Sequence, residues 1–287
     1  MTVRLLLVIL IVVCPWTVHG LDANNTTLAD GYEVHAERAC EQLVALGHKW
    51  QCDKFDDGHK YQNTYCDLFH MIRSGPRKML EIGFGCGHFQ GQNGMSALVW
   101  RAWFHKLEYY AIDYIPQKDA EMNTCAADYE KQHPGIVKKL WIGDQSDLVF
   151  LAKVIAEFSP AGANNKWDII MDDGAHIYSF IKASFQTLWP HVAEGGVYVV
   201  EDMAADYKFT RVVAKWIERL SFGAPSPKQA DNLGDFENYP PRGVKTIQCA
   251  YQICVFKKAR RYESLPTSEY GHPFANAAIR NTSIDER

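Results

Sequence analysis

Two acidic clusters follow apolar runs of strand length, and together they could bind a metal ion. The segment "IIMDDGAHIYSF" ends its apolar run at Asp172 and Asp173, and "GGVYVVEDM" ends at Glu201 and Asp202. If the two runs are neighbouring parallel strands, up to four carboxylates meet at one edge, where their repulsion favours a bound cation. Hard oxygen ligands select Mg²⁺ or Mn²⁺ over zinc. Solvated strand-end acids or helix caps are the alternative for either pair alone.

A histidine lies where it could take a proton from a substrate held on such a metal. His176 follows Asp173 by three residues, just past the predicted strand end. Imidazoles accept and release protons near neutral pH, so the sequence predicts a general base at this position. The alternative is an ordinary surface histidine, since the chain has eleven.

Three earlier strand ends carry residues suited to a nucleoside. The first strand ends in "EIGFGCG", where Gly83 and Gly85 allow close backbone approach to a ligand. The next two end in Asp113, placed for a ribose diol, and Asp144, placed for an adenine amino group. Helix N-caps are the alternative for each aspartate. The inserted "HFQGQN" departs from the dinucleotide pattern and favours S-adenosylmethionine, which has no pyrophosphate to bind.

Elements that would position these residues alternate regularly along the chain. Five apolar runs of strand length alternate with helical patterns from residue 77 onward, and this predicts an α/β fold with a buried, mostly parallel sheet. The segment "GVKTIQCAYQICVFKKAR" holds two strand-like runs with no helix between them, which predicts an antiparallel hairpin at the sheet edge. The preceding "GAPSPKQADNLGDFENYPPRG" predicts a long loop. Before the alternation, residues 21–30 are polar and predicted to be disordered, and a helical cap follows.

The N-terminus indicates entry into the secretory pathway. Arg4 precedes an apolar run from Leu5 to Trp16, and Val18-His19-Gly20 then ends in a small residue suited to cleavage of a signal peptide. A short Golgi-type anchor is the alternative, but the run is shorter than a comfortable membrane span. N-glycosylation triplets begin at Asn24, Asn25 and Asn281. The sequence therefore predicts a glycoprotein, lumenal in the endoplasmic reticulum or Golgi or secreted, without a stable membrane span after cleavage.

Composition and cysteine spacing exclude several other classes. A formal net charge of -4 without a basic block gives no footprint for nucleic acid. The chain has no CxxC pair, so a structural zinc site is not predicted. Seven cysteines remain outside the signal peptide, an odd number that leaves at least one unpaired. Cys40, Cys52 and Cys66 are the best candidates for a disulfide, although spacing does not determine the pairing.

The chain resembles a known family over about residues 50–260. The segments "DKFDDGHKYQNTYCDLF", "LEIGFG", "YYAIDY", "IGDQSD" and "WDIIMDDGAHIYSF" together with "GGVYVVED" are similar to metal-dependent sugar O-methyltransferases of the mycinamicin and macrocin type. Proteins described as cephalosporin hydroxylases and rhamnosyl O-methyltransferases are related to them. Within this resemblance, D-G-A-H followed by E-D is the specific signal and the glycine turn is not.

The resemblance implies a Rossmann-like class I methyltransferase that uses S-adenosylmethionine and Mg²⁺ (or Mn²⁺). It assigns the metal ligands to Asp173, Glu201 and Asp202 and the general base to His176. A further set of residues would line the cofactor site: Glu81, Gly83, Gly85, Asp113, Asp144 and Asp172.

The predicted organisation is a signal peptide (1–20), a tail and helical cap (21–72), a methyltransferase domain with a seven-stranded sheet (73–262), and a C-terminal tail (263–287). A signal peptide is foreign to the bacterial antibiotic enzymes, so a lumenal sugar or glycan is the expected acceptor. A homo-oligomer is left open. A non-catalytic glycan-binding or effector protein with the same fold is the main alternative. An oxygenase is not favoured, because no two-histidine, one-carboxylate ligand set for iron is evident in the sequence. An NAD(P) oxidoreductase fits the fold but would leave the paired acids without a function.

Overall fold

The computed structural model describes residues 26–55, 58–86, 93–115, 124–221 and 235–261. The predicted signal peptide, the three acceptor asparagines, the predicted C-terminal tail, and most of the "HFQGQN" insert and of the Pro-rich loop lie outside these residues.

Seven strands form one mixed sheet. Their bounds are β1 Pro76–Ile82, β2 Lys106–Asp113, β3 Val137–Ile142, β4 Trp167–Asp172, β5 Val192–Val200, β6 Val244–Ala250 and β7 Ile253–Lys258. The spatial order is β3-β2-β1-β4-β5-β7-β6. The first five strands pair in parallel, and β7 pairs antiparallel with both β5 and β6. The predicted α/β class and the hairpin at the sheet edge are confirmed.

Seven α-helices accompany the sheet in the described residues: α1 Thr26–Lys49, α2 Gln62–Phe69, α3 Met95–Trp103, α4 Cys125–Gln132, α5 Leu148–Phe158, α6 Tyr178–Leu188 and α7 Tyr207–Ser221. The predicted disorder is wrong for residues 26–30, since α1 already begins there. Across the same described segments, none of the helices combines the length and the apolar character needed to cross a bilayer.

The sheet separates two apolar cores because successive side chains of a strand point to opposite faces. In β1, Met79 packs into the core that α1, α2 and α3 cover, whereas Leu80 packs into the core under α5, α6 and α7. Trp100 of α3 and Phe185 of α6 are fully buried on their respective faces. The N-terminal helices are therefore an integral part of one core.

The connections leave an open crevice at the carboxyl ends of two central strands. The helix that follows β1 covers one face of the sheet, whereas the helix that follows β4 covers the other. Because β1 and β4 are neighbours, the chain leaves them in opposite directions at this point. Ligands of open α/β sheets bind outside such a switch point. The fold thus places the predicted site residues around one crevice.

Candidate active site

A cavity of about 690 Å³ lies at this crevice, within the usual size of small-molecule sites. Its walls come from the carboxyl ends of β1, β2, β3 and β4 and from the loop between α1 and α2. Seven residues predicted from the sequence line it: Gly83, Gly85, Asp113, Asp144, Asp173, His176 and Asp202.

The turn after β1 has a backbone that only glycine adopts without strain. Gly83 and Gly85 have φ values of 96° and 88°. A Cβ on Gly83 would lie 2.1 Å from the carbonyl oxygen of Asp173. Because Gly83 has no side chain, the turn that follows β1 (residues 83–86, here called the cofactor turn) packs directly against the end of β4.

We expect Gly83→Ala to lower the free energy of unfolding by about 3 kcal/mol, because it adds both a clash with backbone and an unfavourable φ. Gly162→Ala is the matched control: its φ is 86°, but an added Cβ there meets nothing within 4 Å. The control should cost about 1 kcal/mol. Urea denaturation measures both losses, and equal losses would show that the contact with Asp173 carries no energy.

The aspartates at the end of β2 and after β3 support local backbone. Asp113 accepts hydrogen bonds from the N–H of Cys86 at 2.6 Å and of Tyr114 at 2.9 Å. Asp144 accepts from the N–H of Ser146 at 2.7 Å. The N-cap of α5 is Asp147, whose carboxylate accepts two backbone N–H groups. The alternative of a cap is therefore wrong for Asp144, and α4 begins too far along the chain for Asp113 to cap it.

Two residues predicted to line the cofactor site are instead buried beneath the cavity. Glu81 is fully buried, and its Oε2 accepts hydrogen bonds from Ser96 Oγ at 2.9 Å and Tyr109 Oη at 2.5 Å. Asp172 is 1% exposed and accepts from Tyr198 Oη at 3.0 Å. Hydrogen bonds hold both side chains beneath the cavity, and neither residue lines it.

Gln145 connects the ends of β3 and β4, a role that the sequence did not reveal. Its side-chain nitrogen donates to Asp172 at 3.0 Å, and its oxygen accepts from the N–H of Ala175 at 2.8 Å. A Cβ on Gly174 would lie 2.0 Å from the same oxygen. Gly174, the glycine of the D-G-A-H motif, thus leaves room for the side-chain amide of Gln145. This amide holds the turn that follows β4 (residues 173–176), which we call the metal-side turn.

Lys54 is a second residue that the sequence did not identify. Its side chain is 2% exposed, and its Nζ lies 2.6 Å from Glu201 Oε2, 3.3 Å from Glu81 Oε1 and in contact with Asp173 Oδ2. Burial alone would lower the pKa of Lys54, but the three carboxylates raise it well above its ordinary value. The lysine therefore stays charged and joins the ends of β1, β4 and β5.

One group of ligand atoms in the described part of the chain has the arrangement of a metal site. Asp173, His176 and Asp202 each offer one atom, and these atoms lie within 4.8 Å of one another. His176 Nε2 is 3.5 Å from Asp202 Oδ2 and 3.9 Å from Asp173 Oδ1. Glu201, expected as the third ligand, is directed instead toward Lys54 and is 1% exposed. The structure therefore places the histidine, and not Glu201, in the group.

Two of the five non-glycine residues with positive φ in the described part of the chain belong to this group. His176 and Asp202 have φ values of 56° and 51°, in the left-handed region that few residues other than glycine adopt. Such strain persists only where the surrounding structure enforces it, and it clusters at functional sites. These two conformations support a functional role for both turns.

Two carboxylates at the site, Asp173 of the group and Glu201 beside it, lie where negative charge is unfavourable. Burial raises the pKa of Asp173 to about 6, although Lys54 opposes the shift. Burial also raises the pKa of Glu201, again against Lys54. A divalent cation beside them would offset this cost, and the oxygen-rich donor set fits Mg²⁺ or Mn²⁺.

Residues from the loop before α2 hold the second oxygen of Asp202. Tyr61 Oη donates to Asp202 Oδ1 at 2.7 Å, and His59 Nδ1 lies 3.0 Å from the same oxygen. Tyr65, by contrast, is fully buried and packs edge-on against Trp100 at 5.0 Å. The N-terminal segment therefore contributes His59 and Tyr61 to the site and Tyr65 to the core.

We expect Tyr61→Phe to weaken Mn²⁺ binding by about three- to tenfold, because it removes a hydrogen bond worth about 1 kcal/mol that orients Asp202. Tyr110→Phe is the control, since Tyr110 Oη donates to Glu108 at 3.0 Å, at a carboxylate outside the group. Titration followed by electron paramagnetic resonance gives both dissociation constants. Unchanged Mn²⁺ affinity in a folded Tyr61→Phe variant would contradict the orienting role.

Three disulfides join described cysteines: Cys40–Cys66, Cys86–Cys125 and Cys249–Cys254. Of the three N-terminal candidates, Cys52 is the unpaired one. Burial raises the pKa of the Cys52 thiol to about 12, so this thiol is unreactive at neutral pH.

Comparison with known proteins confirms the resemblance. Mycinamicin VI 2''-O-methyltransferase of Micromonospora griseorubida is 30% identical over 166 residues, 58% of this chain and 37% of that protein. Demethylmacrocin O-methyltransferase of Streptomyces fradiae is 30% identical over 195 residues, 64% of this chain and 45% of that protein. The chain spans less than half the length of the curated relatives it matches. No protein-family model matches the sequence.

Solved structures agree with the fold. The MycE methyltransferase from the mycinamycin biosynthetic pathway, in complex with Mg and SAH, superposes with a TM-score of 0.60 at 22% identity over 78% of this chain and 56% of that chain. A second crystal form gives 0.61 at 21% identity, covering 92% and 68%. This similarity establishes the class I methyltransferase fold.

Proposed function

We propose that this chain, a relative of sugar O-methyltransferases, transfers a methyl group from S-adenosylmethionine to a hydroxyl of a sugar or glycan and requires a divalent metal. The observation that carries the proposal is the group of Asp173, His176 and Asp202 at the rim of a cavity lined by Gly83 and Asp113. The curated relatives are named for methyl transfer to sugar-bearing molecules, which supports the acceptor class.

The cavity fits S-adenosylmethionine, which when bound supplies an electrophilic methyl group. Gly83 and Gly85 let backbone approach the ligand, and the Gly83 turn packs against the end of β4. Asp113 and Asp144 would accept hydrogen bonds from the ribose diol and the adenine amino group. These two aspartates lie at successive strand ends, so they would fix the position of the nucleoside relative to the metal-side turn.

Asp173 and Asp202 would hold Mg²⁺ or Mn²⁺, which when bound lowers the pKa of an acceptor hydroxyl. His176 Nε2 lies beside both carboxylates and would take the hydroxyl proton. Glu201 would support the site by balancing Lys54, which holds Asp173 from the interior. Since displacement at a methyl group depends on alignment, the main task of these residues is to orient the acceptor oxygen.

We place the protein in the lumen of the secretory pathway or outside the cell. Three disulfides among the described cysteines support an oxidising compartment, as does the N-terminal signal pattern. Expression with a C-terminal tag tests this placement: entry into the pathway predicts a mass decrease on glycosidase treatment. An unglycosylated protein that fractionates with cytosolic markers would overturn it.

The activity is tested with purified secreted protein, labelled S-adenosylmethionine, Mg²⁺ and a panel of sugars and glycans with vicinal hydroxyls. We expect label in at least one acceptor, lost with EDTA and restored by Mn²⁺ or Mg²⁺. Calorimetry with S-adenosylhomocysteine distinguishes an active methyltransferase from the main alternative, a non-catalytic glycan-binding or effector protein. Binding of S-adenosylhomocysteine without transfer to any acceptor, or of glycan without S-adenosylhomocysteine, would favour a non-catalytic protein.

A further inference from the structure

We propose that the Cys86–Cys125 disulfide is a positioning cross-link that fixes the cofactor turn, so that affinity for S-adenosylmethionine depends on this bond. The inference rests on the proposed function. Cys86 directly follows the turn of Gly83 and Gly85, and Cys125 is the first residue of α4. The bond thus anchors one end of the turn to a helix whose residues Cys125 and Tyr129 belong to the core that α1, α2 and α3 cover.

The turn gains from a further anchor because two of its residues are glycines, although the N–H of Gly83 already donates to the carbonyl of Ile112 at 2.9 Å. Gly83 and Gly85 both have positive φ values, and glycine populates positive and negative φ about equally. A turn that is free to sample these states must be ordered when a ligand binds, and this ordering reduces affinity. Fixing Cys86 removes part of that freedom before binding.

The bond also controls a hydrogen bond at the cavity wall. The N–H of Cys86 donates to Asp113 Oδ2 at 2.6 Å, and Asp113 lines the cavity as the predicted ribose acceptor. Cys86 is 1% exposed and Cys125 is 8% exposed, so the cross-link lies beneath the cavity surface. Movement of Cys86 would therefore move the donor that orients this carboxylate.

Contacts from α4 also hold Phe84, within the cofactor turn, and Gly94, the residue before α3. The ring of Tyr129 packs edge-on against Phe84 at 4.8 Å, and its hydroxyl donates to the carbonyl of Gly94 at 2.9 Å. The N–H of Gly94 donates in turn to the carbonyl of Phe84 at 2.9 Å. The start of α4 is thus placed by Cys125 where Tyr129 can hold the turn.

The chain offers a matched control in Cys249–Cys254. This bond joins β6 to β7 across the hairpin, and neither cysteine lines the cavity. Removing it should reduce stability without altering the cofactor turn. Any effect common to the two disulfides is therefore structural, and a difference between them reports positioning.

The first test compares Cys86→Ser/Cys125→Ser with Cys249→Ser/Cys254→Ser in the full secreted protein. Calorimetry at a temperature where each variant is folded gives the dissociation constant of S-adenosylhomocysteine. We expect an increase of at least about tenfold for the first pair and less than about twofold for the control, from the cost of ordering the turn. With an active acceptor, KM for S-adenosylmethionine should rise while kcat at saturation is kept.

A second test uses the unmodified protein and does not depend on the variants folding. Dithiothreitol gives two electrons and two protons to a disulfide, which becomes two thiols as the reagent closes to its cyclic disulfide. Because binding and cross-link are reciprocally coupled, saturating S-adenosylhomocysteine should lower the equilibrium ratio of reduced to oxidised Cys86–Cys125 about tenfold. The ratio for Cys249–Cys254 should not change. Alkylation and mass spectrometry read both.

The outcomes separate this inference from the proposed function. If the unmodified protein does not bind S-adenosylhomocysteine, the proposed function is wrong. If it binds, and either the folded Cys86→Ser/Cys125→Ser variant binds within about twofold of it or the ligand leaves the Cys86–Cys125 ratio unchanged, the cross-link does not position the turn.

Discussion

Asp173→Asn should lower kcat/KM for methyl transfer by at least about a hundredfold and remove measurable Mn²⁺ binding. The substitution keeps the size of the side chain but removes the charge that faces His176 and Asp202. An amide oxygen is a weaker ligand for a hard cation than a carboxylate oxygen. Activity measured across Mg²⁺ concentrations, together with Mn²⁺ titration, distinguishes lost metal affinity from lost turnover.

The control for this variant is Asp168→Asn, near the amino end of β4, the strand that Asp173 follows. The carboxylate of Asp168 accepts the backbone N–H of Lys78 at 2.8 Å, outside the group that would hold the cation. Its loss should reduce stability slightly and leave KM and metal affinity unchanged. If Asp173→Asn kept wild-type metal affinity, the cation would have to bind elsewhere, and the role given to Asp202 would fail with it.

The order of strands and helices was predictable because apolar runs of strand length alternate with helical patterns. The runs ending at Ile82, Asp113 and Asp172 became neighbouring parallel strands, so the turns after them meet at one crevice. Position at a strand end therefore predicted where the cavity lies, but not which of the acids at each strand end reach it. Gly83, Asp113 and Asp173 line the cavity, and their cofactor and metal roles stay predictions.

The direction of a side chain at a strand end was not predictable from its position. Asp173, Glu201 and Asp202 lie beyond the last residues of β4 and β5, so the conformation of each turn, and not the alternation along a strand, decides which acid faces the cavity. Asp172 lies inside with Tyr198, whereas Asp173 lines the cavity. Glu201 and Asp202 divide in the same way. The expectation that both acids of each pair meet at one edge therefore overestimated the number of carboxylates that line the cavity.

The buried partners of these acids come from distant parts of the sequence, so the strand-end pattern did not reveal them, although the segment "DKFDDGHKYQNTYCDLF" that holds Lys54 and Tyr61 is one of those that carry the family resemblance. Lys54 is separated from Glu201 by 147 positions, and Tyr61 from Asp202 by 141. A lysine in a polar loop usually indicates solvent exposure. Only the three-dimensional packing shows that this one is enclosed by acids.

Lys54→Met should lower the free energy of unfolding by about 3–5 kcal/mol at neutral pH. Methionine nearly matches lysine in length, so the loss would come from charge and not from a cavity. Without the ammonium group, Glu201 and Glu81 would remain buried at 1% and 0% exposure with no cation beside them. Removing one member of a buried ion cluster costs much more than the cluster itself contributes, because the remaining charges lose both water and partner.

The matched control is Lys153→Met, in which the lysine is 70% exposed and its Nζ lies 4.0 Å from Glu157 one helical turn away. An exposed pair of this kind contributes about 0.3–0.5 kcal/mol, so the control should fall within about 0.5 kcal/mol of wild type. Urea denaturation with matched slopes measures both variants. A loss below about 1 kcal/mol for Lys54→Met would mean that the carboxylates do not depend on Lys54 for their charge balance. Because Lys54 joins the ends of β1, β4 and β5, that result would also mean that Lys54 does not set the spacing between the turns that follow these strands.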